Sequence, residues 1–230
     1  MKTMNMDELQ EALKVRDRGI DIEPTKSALL LVDMQKMAGS DYLLMEAREK
    51  DIPEESIREA LAEMDQRVNK VLQNAQRMLQ ACREKGIQPI HVKIEAETPD
   101  GRDVGRLHKL VNFVVPPESK WAEFFDEVKP KDGEIVLKKT CSGAFVGTHV
   151  DRILRNLGVE TLVIIGFYTE QCVETAARDA ADSGYDTILV EDACGTLTEE
   201  LHNNSIKALK DLYVTVTTTD KIVEKIMALP

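Results

Sequence analysis

The chain lacks any continuous apolar run long enough to cross a membrane. Its apolar runs, such as residues 28–32, have the length of a strand, whereas a membrane-spanning helix needs roughly 20 apolar residues. The first residues, MKTMNMDELQEALKV, include acidic residues where a signal peptide has its apolar segment. These features predict a cytoplasmic protein.

Positive charge and cysteine are also scarce. The 30 Lys and Arg residues are outnumbered by 41 Asp and Glu residues, which gives a net charge of −11. Such a chain is repelled by phosphate backbones and by anionic lipid surfaces, so we expect neither a nucleic acid nor a membrane as a partner. The four cysteines form no CxxC pair and no cluster with zinc-ligand spacing.

Short apolar runs alternate with amphipathic segments along all 230 residues. The runs at 28–32, 87–94, 134–137, 161–165, 187–190 and 213–217 predict strands, and the segments 53–84, 148–156, 172–183, 199–212 and 220–227 predict helices. Strands that are apolar on both faces are typical of parallel sheets covered on both sides. We therefore predict one Rossmann-like α/β/α domain over residues 1–230, with a six-stranded, mostly parallel sheet and an N-terminal extension at 1–24.

Two long segments interrupt this regular alternation, at residues 36–52 and 95–118. Both begin at the carboxyl end of a predicted strand, the edge at which open α/β sheets bind their ligands. They are candidate binding loops, and the alternative is that they are ordinary connections. A basic stretch in the second segment, with Arg102, Arg106, His108 and Lys109, either holds a substrate carboxylate or forms surface salt bridges.

Reactive side chains follow three of the predicted strands. Asp33 follows the first strand, Lys138 the third, and Cys172 stands after the fourth at the start of a helix. A helix N-terminus and a nearby ammonium lower the pKa of a thiol, and a carboxylate can accept its proton. The alternative is that Asp33 caps a turn, Lys138 is a surface charge and Cys172 fills the core.

Four segments resemble the isochorismatase-like cysteine hydrolases: LLLVDMQ at 29–35, KKTCSGAFVGT at 138–148, GFYTEQCVETAARDA at 166–180 and VEDACGT at 190–196. That superfamily includes nicotinamidases, N-carbamoylsarcosine amidohydrolases, and ureidoacrylate and biuret hydrolases. The resemblance covers residues 27–217 and implies the superfamily's three-layer hydrolase fold. It also implies a catalytic triad of Asp33, Lys138 and Cys172.

The choice between two adjacent lysines depends on a count. The family's lysine usually stands four residues before the serine of an S-[AG]-F segment. This chain has one extra residue in that segment, Ser142-Gly143-Ala144-Phe145, and counting back from Ser142 selects Lys138. Neighbouring residues of a strand point to opposite faces, so we expect Lys139 to point away from the site.

The resemblance further implies a cis peptide bond between Phe167 and Tyr168. This bond would aim the backbone N–H groups of Tyr168 and Cys172 at a substrate carbonyl oxygen as an oxyanion hole. The candidate substrate-binding residues are Gln35, Ser142, Phe145 and Thr169. For Gln35, a structural hydrogen bond to the backbone is an equal alternative.

Departures from the family pattern bear on the substrate. Nicotinamidases carry a metal-binding D-x-H motif after the second strand, but this chain reads HVKIEAETPDGRD there. We therefore expect no metal and no cofactor, and nicotinamide is disfavoured. True isochorismatases usually lack the cysteine.

The resemblance thus implies an amidohydrolase that acts on non-peptide carbon–nitrogen bonds and assembles as a homo-oligomer, either a dimer or a tetramer. Its substrate would be a small amide, ureido or carbamoyl compound, cleaved through a thioester with release of ammonia or an amine. The alternative is a catalytically silent small-molecule-binding or scaffold protein of the same fold; a nicotinamidase is less favoured.

Overall fold

Parallel β-strands form the centre of the protein in the computed structural model, which describes residues 3–13, 19 and 21–230. The strands are β1 (Ser27–Val32), β2 (Gln88–Ile94), β3 (Ile135–Lys139), β4 (Thr161–Phe167), β5 (Asp186–Gly195) and β6 (Thr215–Thr217). They form a six-stranded sheet in the order β3-β2-β1-β4-β5-β6, and every neighbouring pair is parallel. The predicted α/β fold is confirmed, with a sheet that is parallel throughout.

Helices connect the strands. In the described part of the chain they are α1 (Met6–Leu13), α2 (Ser40–Glu49), α3 (Glu54–Glu84), α4 (Arg106–Leu110), α5 (Ala144–Gly147), α6 (Val150–Asn156), α7 (Glu174–Asp182), α8 (Glu199–Leu209) and α9 (Thr219–Met227). Short 3₁₀ turns lie at Pro24–Lys26, Lys36–Ala38, Lys120–Ala122 and Asp126–Val128, and a π-helical turn at Thr169–Val173 precedes α7. No helix in the described ranges combines the length and the apolar character needed to cross a bilayer. The predicted extension at 1–24 lies partly outside the described residues.

Two apolar layers cover the sheet, one on each face. Along β1 the side chains alternate, so that Leu30 belongs to one core cluster and Leu29 and Leu31 to the other. The first cluster packs against α6, α7 and α8, and the second against α3 and α9. Both faces of the central strands are therefore buried, which explains their continuous apolar sequences.

The carboxyl ends of β1 and β4 form the switch point of the sheet, because the chain leaves these neighbouring strands in opposite directions along the strand order. Gly166 allows this close approach: its φ is +140°, and an added Cβ would lie 2.0 Å from the carbonyl oxygen of Val32. Ligands of open α/β sheets bind at such a point. Asp33 directly follows β1 and Cys172 follows β4 at this edge.

Candidate active site

A buried lysine joins the carboxylate and the thiol at the switch point. Lys139 Nζ donates a hydrogen bond to Asp33 Oδ2 at 2.7 Å and lies 3.4 Å from Cys172 Sγ. It also donates to the carbonyl oxygen of Cys141 at 3.0 Å. Lys139 is 1% exposed, and Asp33 and Cys172 are 2% and 5% exposed. The three side chains therefore form one contact cluster that is shielded from solvent.

The prediction that Lys138 belongs to this cluster is wrong. Its side chain is 42% exposed and forms an ion pair with Glu95 on the other face of β3. Glu95 also pairs with Lys93 of β2, which stands opposite Lys138 in the strand register. Alternation along β3 therefore places Lys138 beside Glu95 on the opposite face of the strand, and Lys139 at the site.

The error has two identifiable causes. The strand was predicted to end at Leu137, but β3 continues to Lys139, and the buried side chains of Leu137 and Lys139 share one face. The count to the lysine was also started from the wrong residue, Ser142. A lysine four residues before the serine of S-[AG]-F stands six residues before the phenylalanine, and counting back from Phe145 selects Lys139.

Asp33 is held as a buried hydrogen-bond acceptor. Its backbone has a left-handed φ of 49°, and its N–H group donates to the carbonyl oxygen of Val92 at 2.9 Å. Oδ2 accepts from Lys139, whereas Oδ1 has no hydrogen-bond partner among the described residues. Burial raises the pKa of Asp33, and the ammonium of Lys139 only partly opposes this effect. A buried carboxylate with a free oxygen and a raised pKa is well suited to accept a proton.

The environment of Cys172 differs from the expected thiolate site. Burial is the main effect and raises the pKa of the Cys172 thiol, the charge of Asp33 raises it further, and the ammonium of Lys139 lowers it. The pKa of this thiol is therefore raised, not lowered as expected from the sequence. A raised pKa favours the protonated thiol, so its reaction as a nucleophile would depend on a proton acceptor nearby.

A cavity of about 630 Å³ opens onto the cluster, a size typical of small-molecule sites. Its lining includes Asp33 and Cys172. The segment 36–52 contributes Met37, Ala38, Tyr42, Leu43 and Glu46, and the segment 95–118 contributes Leu107, His108, Val111 and Phe113. Both candidate binding loops therefore line the cavity.

The predicted substrate-binding residues divide into two groups. Ser142 lines the cavity, as does Tyr168 of the predicted oxyanion hole. Gln35, Phe145 and Thr169 are not part of the lining.

Structural contacts account for the three residues outside the lining. The amide of Gln35 donates to the carbonyl oxygens of Ile94 and Ala122 and accepts from the N–H group of Ile94, so the structural alternative is confirmed. The ring of Phe145 packs 6.1 Å from that of Tyr185, and the hydroxyl of Thr169 contacts His202 Nδ1 at 2.9 Å.

The backbone between β4 and the π-helical turn of Cys172 has the expected cis peptide bond, between Phe167 and Tyr168. The structure also bears on the question of metal ligands. Among residues 3–13, 19 and 21–230, no group of three or more His, Cys, Asp and Glu side chains could hold a metal ion.

The comparison with known families agrees with this geometry. A family model described as the isochorismatase domain matches residues 27–221. The chain belongs to the isochorismatase family.

Curated relatives of this isochorismatase-family chain include two named amidohydrolases. The N-carbamoylsarcosine amidase of Arthrobacter sp is 27% identical over 165 residues, which cover 70% of this chain and 62% of that protein. The ureidoacrylate amidohydrolase RutB of Acinetobacter baylyi is 27% identical over 230 residues, which cover 92% of this chain and 88% of that protein.

Solved structures share the fold of this family member. A cysteine hydrolase from Pseudomonas syringae pv. phaseolicola 1448A superposes with a TM-score of 0.74 at 23% identity, covering 90% of this chain and 95% of that chain.

In this isochorismatase-family site, Glu46 and His202 were not assigned a role from the sequence, and His108 was considered only within the basic stretch. Glu46 and His108 line the cavity. His202 contacts Thr169 in the turn that carries Cys172. His108 was part of the basic stretch, in which Arg102 pairs with Asp100 on the surface.

Proposed function

We propose that this protein is a cysteine amidohydrolase that cleaves the carbon–nitrogen bond of a small amide, ureido or carbamoyl compound. The observation that carries the proposal is the contact of one ammonium, Lys139 Nζ, with both Asp33 Oδ2 at 2.7 Å and Cys172 Sγ at 3.4 Å. A thiol, a proton acceptor and a charge that stabilises both ionised forms are the groups that nucleophilic amide hydrolysis requires.

In the first half of the proposed reaction, Asp33 accepts the proton of the Cys172 thiol as Sγ attacks the carbonyl carbon. Lys139 stays protonated, because the charge of Asp33, joined by that of Cys172 once its thiol has lost the proton, outweighs the cost of burial and keeps the pKa of Lys139 above its ordinary value. The carbonyl oxygen gains negative charge, which the backbone N–H groups of Tyr168 and Cys172 stabilise. Asp33 then returns the proton to the departing nitrogen, and ammonia or an amine leaves a thioester on Sγ.

In the second half, water replaces the departed amine. Asp33 removes a proton from the water as its oxygen attacks the thioester carbon, and the same N–H groups stabilise the oxyanion. Collapse breaks the carbon–sulfur bond, and the proton held by Asp33 returns to Sγ. The products are the acid and the free thiol, so the site is restored without any cofactor.

The names of the relatives support this reaction class, since an N-carbamoylsarcosine amidase and a ureidoacrylate amidohydrolase both cleave amide-type bonds. The test is an ammonia-release assay on nicotinamide, N-carbamoyl amino acids, ureidoacrylate, biuret, maleamate and simple aliphatic amides. Ammonia release that requires Cys172 supports the proposal. Tight binding of such compounds without turnover would instead support the silent binding protein.

Treatment with EDTA is expected to leave the proposed activity unchanged. The reaction as proposed uses side chains and backbone N–H groups only, and the described residues offer no cluster of metal ligands. The measurement is ammonia release before and after chelation and gel filtration. Loss of activity that zinc or iron restores would contradict this prediction.

A further inference from the structure

The charges on the cavity wall are of one sign. Among the lining residues, all of which lie between positions 33 and 197, Asp33 and Glu46 are acidic and none is Arg or Lys. The charge of Asp33 is balanced by Lys139 at 2.7 Å. Glu46 is therefore the main charged group near the part of a bound molecule that lies away from the reacting bond.

Glu46 is positioned to act on a ligand. It lies on α2, is partly buried, and has no hydrogen bond or ion pair to any residue that the structure describes. Its charge reaches two tyrosines of the lining: burial raises the pKa of Tyr42 to about 12 with a further contribution from Glu46, and the same two causes raise the pKa of Tyr168. A carboxylate that has no cation of its own favours a positive or neutral group beside it and repels an anion.

His108 does not supply the missing positive charge. It is 5% exposed, its ring contacts that of Phe113 edge-on at 5.1 Å, and Nδ1 has no hydrogen-bond partner among the described residues. Burial, together with repulsion by Lys139, lowers the pKa of His108, so the ring is neutral at neutral pH. It therefore adds no positive charge to the cavity wall, although the residue lines it.

The outer wall is apolar. Leu107 and Val111, on and just after α4, are 60% and 63% exposed although they border the cavity. Phe113 and Leu43 also line the cavity. Apolar side chains left exposed around a cavity are characteristic of binding sites for molecules with an apolar body.

We propose that the site selects amides with an apolar body that is neutral or ends in a cation, that it rejects amides bearing a carboxylate, and that Glu46 sets this preference. The inference rests on the proposed function, which places the reacting amide at Cys172. The proposed preference differs from the compounds in the names of the two relatives, since N-carbamoylsarcosine and ureidoacrylate are both carboxylates.

Three amides of matched length test the preference: heptanamide, ω-aminohexanamide and the monoamide of pimelic acid. Their far ends are a methyl group, an ammonium and a carboxylate. Affinities are measured by calorimetry on the Cys172→Ala protein, so that the result does not depend on turnover. We expect the neutral and cationic amides to bind at least about tenfold more tightly than the anionic amide.

Variants of α2 test whether Glu46 sets the preference. Glu46→Gln is expected to reduce the advantage of the cationic amide over the anionic amide, and Glu46→Lys to make the anionic amide the better ligand. The matched control is Glu49→Gln, which removes the same charge from the same helix outside the cavity lining and leaves the order of affinities unchanged.

The outcomes separate this inference from the proposed function. Tight binding of the anionic amide, no binding of any of the three amides, or equal effects of Glu46→Gln and Glu49→Gln would overturn the inference. If the expected order of affinities is found but the unmodified protein hydrolyses none of the amides, the proposed function fails and the charge preference of the cavity stands.

Discussion

Replacing Lys139 with alanine is expected to lower kcat/KM on the best amide by at least about a hundredfold, the usual effect of removing a positioned charge or proton-transfer group. Without this ammonium, Asp33 becomes a buried carboxyl group with no counter-charge and takes up a proton. It then cannot accept the proton of Cys172. Lys138→Ala is the matched control one residue earlier, with an expected change below roughly twofold, because Lys138 pairs with Glu95 outside the site.

The fold of the Lys139 variants has to be checked before their kinetics are interpreted. Removing one partner of a buried ion pair costs on the order of 3–5 kcal/mol, so circular dichroism and thermal unfolding accompany the assay. Lys139→Arg retains the positive charge, but its planar guanidinium does not fit the position from which Nζ contacts both Asp33 and Cys172. We expect this variant to fold and to be impaired as well. A dead Lys138→Ala protein beside an active Lys139→Ala protein would contradict the site described above.

Replacing Cys172 with alanine is expected to reduce ammonia release to below about 1% of the original rate, because the covalent route then has no nucleophile. The side chain is small, so little packing is lost, and the protein remains folded and able to bind amides. The measurement is the steady-state rate together with calorimetric affinity for the same amide.

Cys82→Ala is the matched control for the Cys172 variant. Cys82 is a fully buried thiol of α3, burial raises its pKa to about 12, and it does not line the cavity. Its replacement should leave kcat within about twofold while lowering stability modestly. Substantial turnover by Cys172→Ala would mean that another group attacks the substrate.

The sheet could be predicted from the sequence because its central strands are buried on both faces. The run at 28–32 corresponds to β1 (Ser27–Val32), and the strand predicted at 161–165 corresponds to β4 (Thr161–Phe167). The edge strand β3 was harder, since Ile135, Val136 and Leu137 are all apolar and do not reveal which alternate residues face inward. Its register determines which of the two adjacent lysines reaches Asp33, and this register depends on tertiary packing.

The residues of the cavity wall were harder to predict from the sequence than Asp33 and Cys172. Asp33 stands directly after β1, and Cys172 lies in the turn that follows β4, where the fold itself brings residues together. Glu46 and His108 come from long connections without a repeating apolar pattern, so only the folded chain shows that both face one cavity. Gln35 illustrates the opposite case, since a residue next to the site has its amide satisfied by the backbone of Ile94 and Ala122.

The most direct test of the central claim is a partition experiment with hydroxylamine. The best primary amide and the methyl ester of the same acid are each turned over in the presence of hydroxylamine, and the ratio of hydroxamate to free acid is measured. If both compounds form the same thioester on Cys172, this ratio is identical for the two, because the leaving group has departed before water and hydroxylamine compete. Different ratios for the amide and the ester would show that no common acyl-enzyme is formed and would contradict the covalent mechanism.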